Sequence, residues 1–155
     1  MTEHHTAPML SVVRQVTNFG FAIAVKLTAD EHRPWNVVDA YGEMSSLDYP
    51  PYSDAEVRAW TAVYRPDQWS PVEGFAPEDL DCGSVKRCDE SLIAVKLEQP
   101  EGHPCWLVFT TDRSVDLVDH DHVRGWDTAY AAQDSDEWAL LHGLDPNPST
   151  REEII

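Results

Sequence analysis

Alternating bulky and small side chains define the clearest element of the chain. Residues 19–27 read FGFAIAVKL, so that phenylalanine, isoleucine, valine and leucine alternate with glycine, alanine and lysine. A period of two predicts a β-strand, because successive side chains of a strand point to opposite faces of the sheet. The last five residues, IAVKL, recur at 93–97. We therefore expect an equivalent strand in two separate parts of the chain.

The similarity between these two parts extends beyond the strand. The tryptophans of the chain form matched pairs that occur in the same order, namely Trp35 with Trp106, Trp60 with Trp126, and Trp69 with Trp138. We interpret this as an internal duplication, with one repeat near 11–71 and the other near 82–143. A connector over 72–81 joins them, and a loose tail follows at 144–155. The length predicts a single compact domain over 1–155, because neither repeat is large enough to be stable alone.

The second half of each repeat has the pattern of a helix. Ser53 and Glu56 form a capping box, in which each side chain binds a backbone N–H at the start of a helix. Apolar residues at i, i+3 and i+7 follow over 57–64, and the same pattern recurs over 123–130 behind an aspartate cap. A third, shorter helix is expected over 138–142.

Together these patterns predict an α+β fold. Each repeat is a unit of strands followed by a helix, so that antiparallel sheets carry helices on one face and a pseudo-twofold axis relates the repeats. The two sheets either join into one or pack face to face. The tryptophans are expected mostly in the core, since large aromatic residues at strand or helix spacing usually serve packing.

Charge separates the two repeats more than any other property. The chain has 28 acidic and 11 basic residues, a formal net charge of −17. Division before Glu73 leaves about −4 on the first part and about −13 on the second, counted from the sequence. Such a surface repels nucleic-acid phosphates and anionic membranes and attracts basic proteins. We therefore expect a basic protein partner, without direct binding to nucleic acid or membrane, and a chain that is a monomer or a homodimer.

The cellular location is predicted from what the chain lacks. Its first residues do not combine a basic stretch with an apolar one, and no apolar run has the length of a transmembrane helix. Three cysteines are an odd number, which does not fit a disulfide framework. These features predict a cytoplasmic protein.

The acidic second repeat is the candidate partner-binding surface. We hypothesise a non-catalytic protein that blocks or regulates a basic, nucleic-acid-binding or nuclease-like protein, by analogy of charge and size with immunity proteins, antitoxins and anti-defence inhibitors. Carboxylates imitate phosphates in such proteins. The other interpretation is a solvated acidic face that only maintains solubility. The candidate carboxylates are Asp116, Asp119, Asp121, Asp134, Asp136 and Glu137.

An alternative hypothesis is a small-molecule-binding protein or an enzyme. Duplicated α+β halves often enclose a pocket between them, and matched aromatic and basic residues could line it. Its candidate residues are His32, Trp35, Arg58, His103, Trp106 and Arg124. No ordered Ser/His/Asp set or glycine-rich phosphate loop is present.

Metal binding has only weak support in the sequence, and no cofactor is expected. Cys82, Cys88, His103 and Cys105 are the candidate ligands, but they lack the paired CxxC spacing of structural zinc sites. His120-Asp121-His122 would place two imidazoles on one side of a strand. It lies at a predicted helix start instead, where the two rings point apart.

Overall fold

The computed structural model describes residues 7–17, 20–27, 32–41, 44–46, 51–99, 102–112 and 115–132. Within these ranges the chain forms two five-stranded sheets in which all neighbouring strands are antiparallel. The first sheet contains β1 Val12–Thr17, β2 Gly20–Lys26, β3 Trp35–Tyr41, β4 Met44–Ser46 and β5 Thr61–Tyr64. The second contains β6 Val85–Asp89, β7 Leu92–Lys96, β8 Trp106–Thr110, β9 Val115–Val118 and β10 Asp127–Tyr130. Two short 3₁₀ helices, Pro77–Asp79 and His120–Val123, accompany the second sheet.

The two sheets have the same strand order and the same register. The first runs β4-β3-β2-β1-β5 and the second β9-β8-β7-β6-β10, so that the two IAVKL segments lie at the centre of their sheets. Ile23 lies opposite Arg14, and Ile93 lies opposite Arg87. Each last strand pairs with a register shift of one residue, at Val63 in β5 and at Ala129 in β10. The two repeats inferred from the sequence therefore correspond to two sheets of one topology, while their boundaries and the single-domain organisation stay predictions.

The sheets pack face to face. The bulky residues of the central strands, among them Ile23, Val25, Ile93 and Val95, belong to one buried cluster that draws on both sheets. Full burial of such side chains stabilises a fold by about 1.5–3 kcal/mol each. We call the face of each sheet toward this shared cluster its inner face, and the opposite face its outer face.

The predicted helices over 57–64 and 123–130 are wrong, and so is the α+β fold class. Residues 54–59 form turns that lead into β5, and the four-residue 3₁₀ helix His120–Val123 precedes β10. Within the described ranges no helix reaches seven residues, and the fold is almost entirely antiparallel sheet. The third expected helix, over 138–142, and the tail lie outside the described residues.

The physical reason for this correction is competition between a local signal and strand pairing. The capping box does form: the Ser53 N–H donates to Glu56 Oε1 at 2.9 Å, and the Glu56 N–H donates to Ser53 Oγ at 3.3 Å. The turns that follow do not extend into a helix, because residues 61–64, TAVY, are mostly β-branched or aromatic and pair with the edge of β1 that β2 leaves open. In the second repeat Gly125, at φ 92°, ends the turn in the left-handed conformation that glycine adopts readily.

The turns and the 3₁₀ helix His120–Val123 cover the outer faces of the sheets, where the sequence predicted helices. Val57 and Trp60 pack with Trp35 on the outer face of the first sheet, in a buried cluster formed by the first repeat and by Ala7 before it. Val123 packs with Trp106 on the outer face of the second sheet, in a cluster formed by the connector and the second repeat. The fold therefore has one apolar layer between the sheets and one apolar layer on the outer face of each sheet. Turns and short 3₁₀ helices cover the two outer layers.

Candidate functional site

Several positively charged side chains of this protein are buried. The buried charged side chains of the described residues are Arg14, Lys26 and Lys86, each at most 3% exposed. Lys86 Nζ donates to the carbonyl oxygen of Trp126 at 2.9 Å and to Thr128 Oγ1 at 3.1 Å. Burial lowers the pKa of Lys86, an effect that the Asp127 carboxylate opposes. Because burial favours the neutral form of a lysine, hydrogen bonds of this kind are what keep the ammonium group there.

Two arginine–tyrosine pairs cross between the sheets in a reciprocal way. Arg14 on β1 donates from Nη1 to the hydroxyl of Tyr130 on β10 at 3.4 Å, and Arg87 on β6 donates from Nε to the hydroxyl of Tyr64 on β5 at 3.0 Å. Each guanidinium also lies over an aromatic ring, 4.6 and 4.7 Å from the ring centroid. Burial raises the pKa of Tyr64. These contacts hold two cations between the sheets, the buried Arg14 already named and the half-buried Arg87.

The surface of the second repeat and its connector is consequently acidic. In the described part of 73–132, every carboxylate except that of Glu98 is exposed, and Arg124 is the only exposed lysine or arginine. The exposed carboxylates are those of Glu73, Glu78, Asp79, Asp81, Asp89, Glu90, Asp112, Asp116, Asp119, Asp121 and Asp127. In the first repeat, by contrast, Arg33 and Arg58 are both exposed.

The exposed Arg124 is already bound to carboxylates. Its Nη2 lies 2.5 Å from Glu78 Oε2 and 2.8 Å from Asp121 Oδ1. The hydrogen bonds from Arg124 are the main cause that lowers the pKa of Glu78 to about 2. Because two carboxylates share one guanidinium, the cluster keeps a net negative charge.

Three of the predicted partner-binding carboxylates fall within the described residues, and the structure gives them different environments. Asp119 caps the 3₁₀ helix, where its Oδ1 accepts the backbone N–H of His122 at 3.3 Å. Asp121 binds Arg124. The side chain of Asp116, on β9, makes no hydrogen bond or ion pair with the described residues. Asp119 and Asp121 thus have structural roles, whereas Asp116 is oriented by its strand alone. The other three candidates, Asp134, Asp136 and Glu137, lie outside the described residues.

Two exposed apolar residues beside Asp116 were missed by the sequence reasoning. Val115 and Leu117 are 41% and 37% exposed, and with Val72 they are the exposed large hydrophobic residues of the described ranges. They belong to β9, which lies at an edge of the second sheet. The segment SVDLVD predicts a strand by its alternation, but no local pattern distinguishes an edge strand from a covered one.

The residues of the alternative pocket are not brought together. Trp35 and Trp106 are fully buried on the outer faces of different sheets, so both sheets lie between them. His32, His103 and Arg58 are exposed, and Arg124 belongs to the ion-pair cluster described above. The space between the sheets holds the shared apolar cluster instead.

The two buried tryptophans have equivalent hydrogen bonds with chemically different acceptors. Trp35 Nε1 donates to Asp54 Oδ1 at 2.8 Å, and Trp106 Nε1 donates to His120 Nδ1 at 3.0 Å. His122, two residues on, contacts the ring of Trp126 with 6.0 Å between centroids. The two histidines of the H-x-H motif therefore contact different tryptophans.

The cysteines are free thiols in unreactive surroundings, except for the exposed Cys88. Cys105 Sγ lies 3.8 Å from His120 Nε2, but burial raises the pKa of this thiol. Burial also raises the pKa of Cys82 to about 11, helped by the Glu98 carboxylate. Since the thiolate is the nucleophile, a Cys105–His120 pair is poorly suited to catalysis near neutral pH. In the described part of the chain, no group of three or more His, Cys, Asp or Glu residues is placed to hold a metal ion.

In the described residues no helix has the length and apolar character needed to cross a membrane. Known protein families, curated proteins and solved structures provide no match to this chain.

Proposed function

We propose that this chain is a non-catalytic acidic binding protein that docks on a basic protein, of nucleic-acid-binding or nuclease-like type, and blocks or regulates it. One observation carries the proposal: the described surface of 73–132 exposes carboxylates throughout and offers Arg124 as its only exposed lysine or arginine. Carboxylates in this arrangement attract a surface built to bind phosphates, raise the rate of association and exclude other acidic molecules.

The burial of cations supports the same function. Arg14, Lys26 and Lys86 contribute to the formal charge of the chain but are almost inaccessible to a partner. Their electric field still reaches the surface, where water and salt screen it. The charge that a partner meets at contact distance is therefore more negative than the composition alone implies.

The alternative of a ligand pocket between the repeats has less support. The residues that would line it lie on outer faces or in loops, and the inner faces meet in an apolar cluster. We further propose a cytoplasmic location, because the free thiols of Cys82, Cys88 and Cys105 are typical of a reducing compartment.

The test is capture of the partner from the organism that encodes the chain. The immobilised protein is incubated with lysate at about 0.05 M and at about 0.5 M NaCl, a range over which screening becomes strong. We expect one predominant basic protein at low salt, loss of that protein at high salt, and inhibition of its nucleic-acid binding or cleavage by the purified chain.

Two variants of equal net charge locate the binding face. Asp79→Asn with Asp81→Asn removes two exposed carboxylates from the acidic surface, whereas Ala55→Lys with Ala59→Lys adds two charges at exposed positions of the turns that cover the outer face of the first sheet. We expect the first variant to bind the partner about two- to tenfold more weakly and the second to bind as the wild type does. Capture that ignores salt, or an equal effect of both variants, would contradict the proposal.

A further inference from the structure

The edge strand β9, Val115–Val118, combines exposed apolar and acidic side chains in alternation. Val115 and Leu117 are 41% and 37% exposed, and Asp116 between them is exposed too. The strand pairs with β8 on one side, and among the described residues no strand pairs with its other side. An edge strand presents backbone N–H and C=O groups to which a further strand is able to bind.

The register assigns these side chains to opposite faces of the second sheet. Leu117 lies opposite Leu107 and Val115 lies opposite Phe109, and both of these partners belong to the shared inner cluster. Asp116 lies opposite Val108, which belongs to the outer cluster. Directly opposite residues of antiparallel strands share a face. A strand added beside β9 would therefore meet aliphatic groups on its inner side and a carboxylate on its outer side.

We propose that the β9 edge binds an extended segment of the basic partner as an added strand, and that in this segment lysine or arginine alternates with aliphatic residues. The inference rests on the proposed function and names the surface and the recognition mode. Backbone hydrogen bonds supply affinity in this mode, and the alternating side chains supply specificity. The aliphatic residues cover Val115 and Leu117, and the basic residues face Asp116 and the neighbouring exposed carboxylates.

Charge selects this occupant over a second copy of the chain. An antiparallel pair of two β9 strands in which the inner face continues from one copy to the other places both Asp116 side chains on the same outer face, and like charges across a strand pair are destabilising. Each copy also has a formal net charge of −17. A basic strand removes this repulsion and gains attraction at the same positions.

A synthetic peptide tests the edge directly. The probe is a labelled peptide of about seven residues in which lysine alternates with valine, long enough for one added strand. Binding to the full chain is measured by fluorescence anisotropy at about 0.05 M NaCl. Two control peptides carry the same side chains. One has its lysines in a consecutive block. The other keeps the alternation but has N-methyl groups on alternate amides, so that it lacks the N–H donors along one edge. We expect the controls to bind at least about tenfold more weakly, since they lose the alternation or the hydrogen bonds.

Variants of the chain then localise the binding. Val115→Thr with Leu117→Thr removes most of the apolar contact and places β-branched side chains, which favour a strand, at both positions. We expect this variant to bind the alternating peptide about tenfold more weakly, with circular dichroism and the urea midpoint close to those of the wild type. Asp116→Asn should weaken binding and reduce its salt dependence, whereas Glu73→Gln, which alters an exposed carboxylate beside the opposite edge of the sheet, should leave binding unchanged.

The outcomes separate this proposal from the proposed function. If the Val115→Thr/Leu117→Thr variant still captures the basic partner in a salt-sensitive way, the β9 proposal is overturned while the proposed function stands. If no basic partner is captured but the alternating peptide binds at β9 as expected, the edge is supported as a strand-binding surface and the proposed function fails. Equal binding of all three peptides overturns the proposal. So does sedimentation that reveals a homodimer lost in the Val115→Thr/Leu117→Thr variant, because a second copy would then occupy the edge.

Discussion

Leu10 has a left-handed backbone conformation, and the equivalent position in the second repeat is a glycine with the same conformation. Its φ is 69°, in the left-handed region, and the equivalent Gly83 has φ 94°. The equivalence is set by hydrogen bonding: the Leu10 N–H donates to the carbonyl oxygen of Lys26 at 2.6 Å, and the Gly83 N–H donates to that of Lys96 at 2.7 Å. The first repeat thus tolerates a strained leucine at this position, and we predict that the strain is measurable.

The strain is isolated by comparing two alanine-to-glycine steps. Leu10 and Ala24 are both 0% exposed, but only Leu10 has a positive φ. Leu10→Ala should cost about 2–5 kcal/mol of the free energy of unfolding, because it removes a buried leucine side chain but keeps a Cβ in the left-handed region. The further step to Leu10→Gly removes that Cβ and relieves about 1–2 kcal/mol of strain. At Ala24 the same step relieves nothing and has the ordinary cost of glycine.

The assay is urea unfolding of Leu10→Ala, Leu10→Gly, Ala24→Gly and the wild type, followed by tryptophan fluorescence. We expect the alanine-to-glycine step at position 10 to be more favourable than the step at position 24 by about 1–2 kcal/mol. Equal costs at the two positions would refute the argument that Leu10 is held in the left-handed conformation by the hydrogen bond to β2 and by its burial.

Three further predictions concern the connector and the second repeat. Thr128→Ala removes one of the two acceptors of Lys86 Nζ and should lower the free energy of unfolding by about 1–3 kcal/mol; an unchanged urea midpoint would contradict the assigned bond. The pKa of Glu78 is lowered from 4.5 to about 2, so its stabilising effect is present above pH 4.5 and is lost as the pH falls toward 2. The difference in urea midpoint between the wild type and Glu78→Gln should therefore shrink over that interval, and a difference that stays constant would be inconsistent with the ion pair. Iodoacetamide at pH 8 should modify the exposed Cys88 much faster than Cys82, whose pKa is raised to about 11 by burial, as peptide mass spectrometry would measure; equal rates would exclude that environment.

The sequence alone was enough to predict the strands in which bulky and small side chains alternate along consecutive residues. The alternation in FGFAIAVKL and its recurrence in IAVKL specify which residues face inward, because the side-chain period of a strand is a property of consecutive residues. The central strands, their inner apolar faces and the Ser53–Glu56 capping contacts all occur as the pattern indicates. The charge difference between the repeats likewise follows from counting alone.

The properties of the surface could be predicted only in part, because only some of them depend on local sequence or composition. The acidic character of the second repeat is readable from composition, but the roles of individual carboxylates depend on neighbours distant in sequence. Asp121 is committed to an ion-pair cluster with Arg124 and Glu78, the latter 46 residues away from Arg124. The exposure of Val115 and Leu117 depends on β9 being an edge strand, and strand order is a non-local property.

Tertiary structure decided the segments 61–64 and 127–130. Each ends a longer stretch, 57–64 or 123–130, whose apolar spacing fits one face of a helix, but each lies beside an open strand edge, of β1 in one case and β6 in the other. Pairing there satisfies backbone groups of two strands at once, while a short isolated helix gains little stability in water. The amino-acid pattern therefore determined which strands exist and where the charge lies in the chain. Only the assembled sheets, through the pairing edges and burial that they create, decided which ambiguous segments became strands and which charges reached the surface.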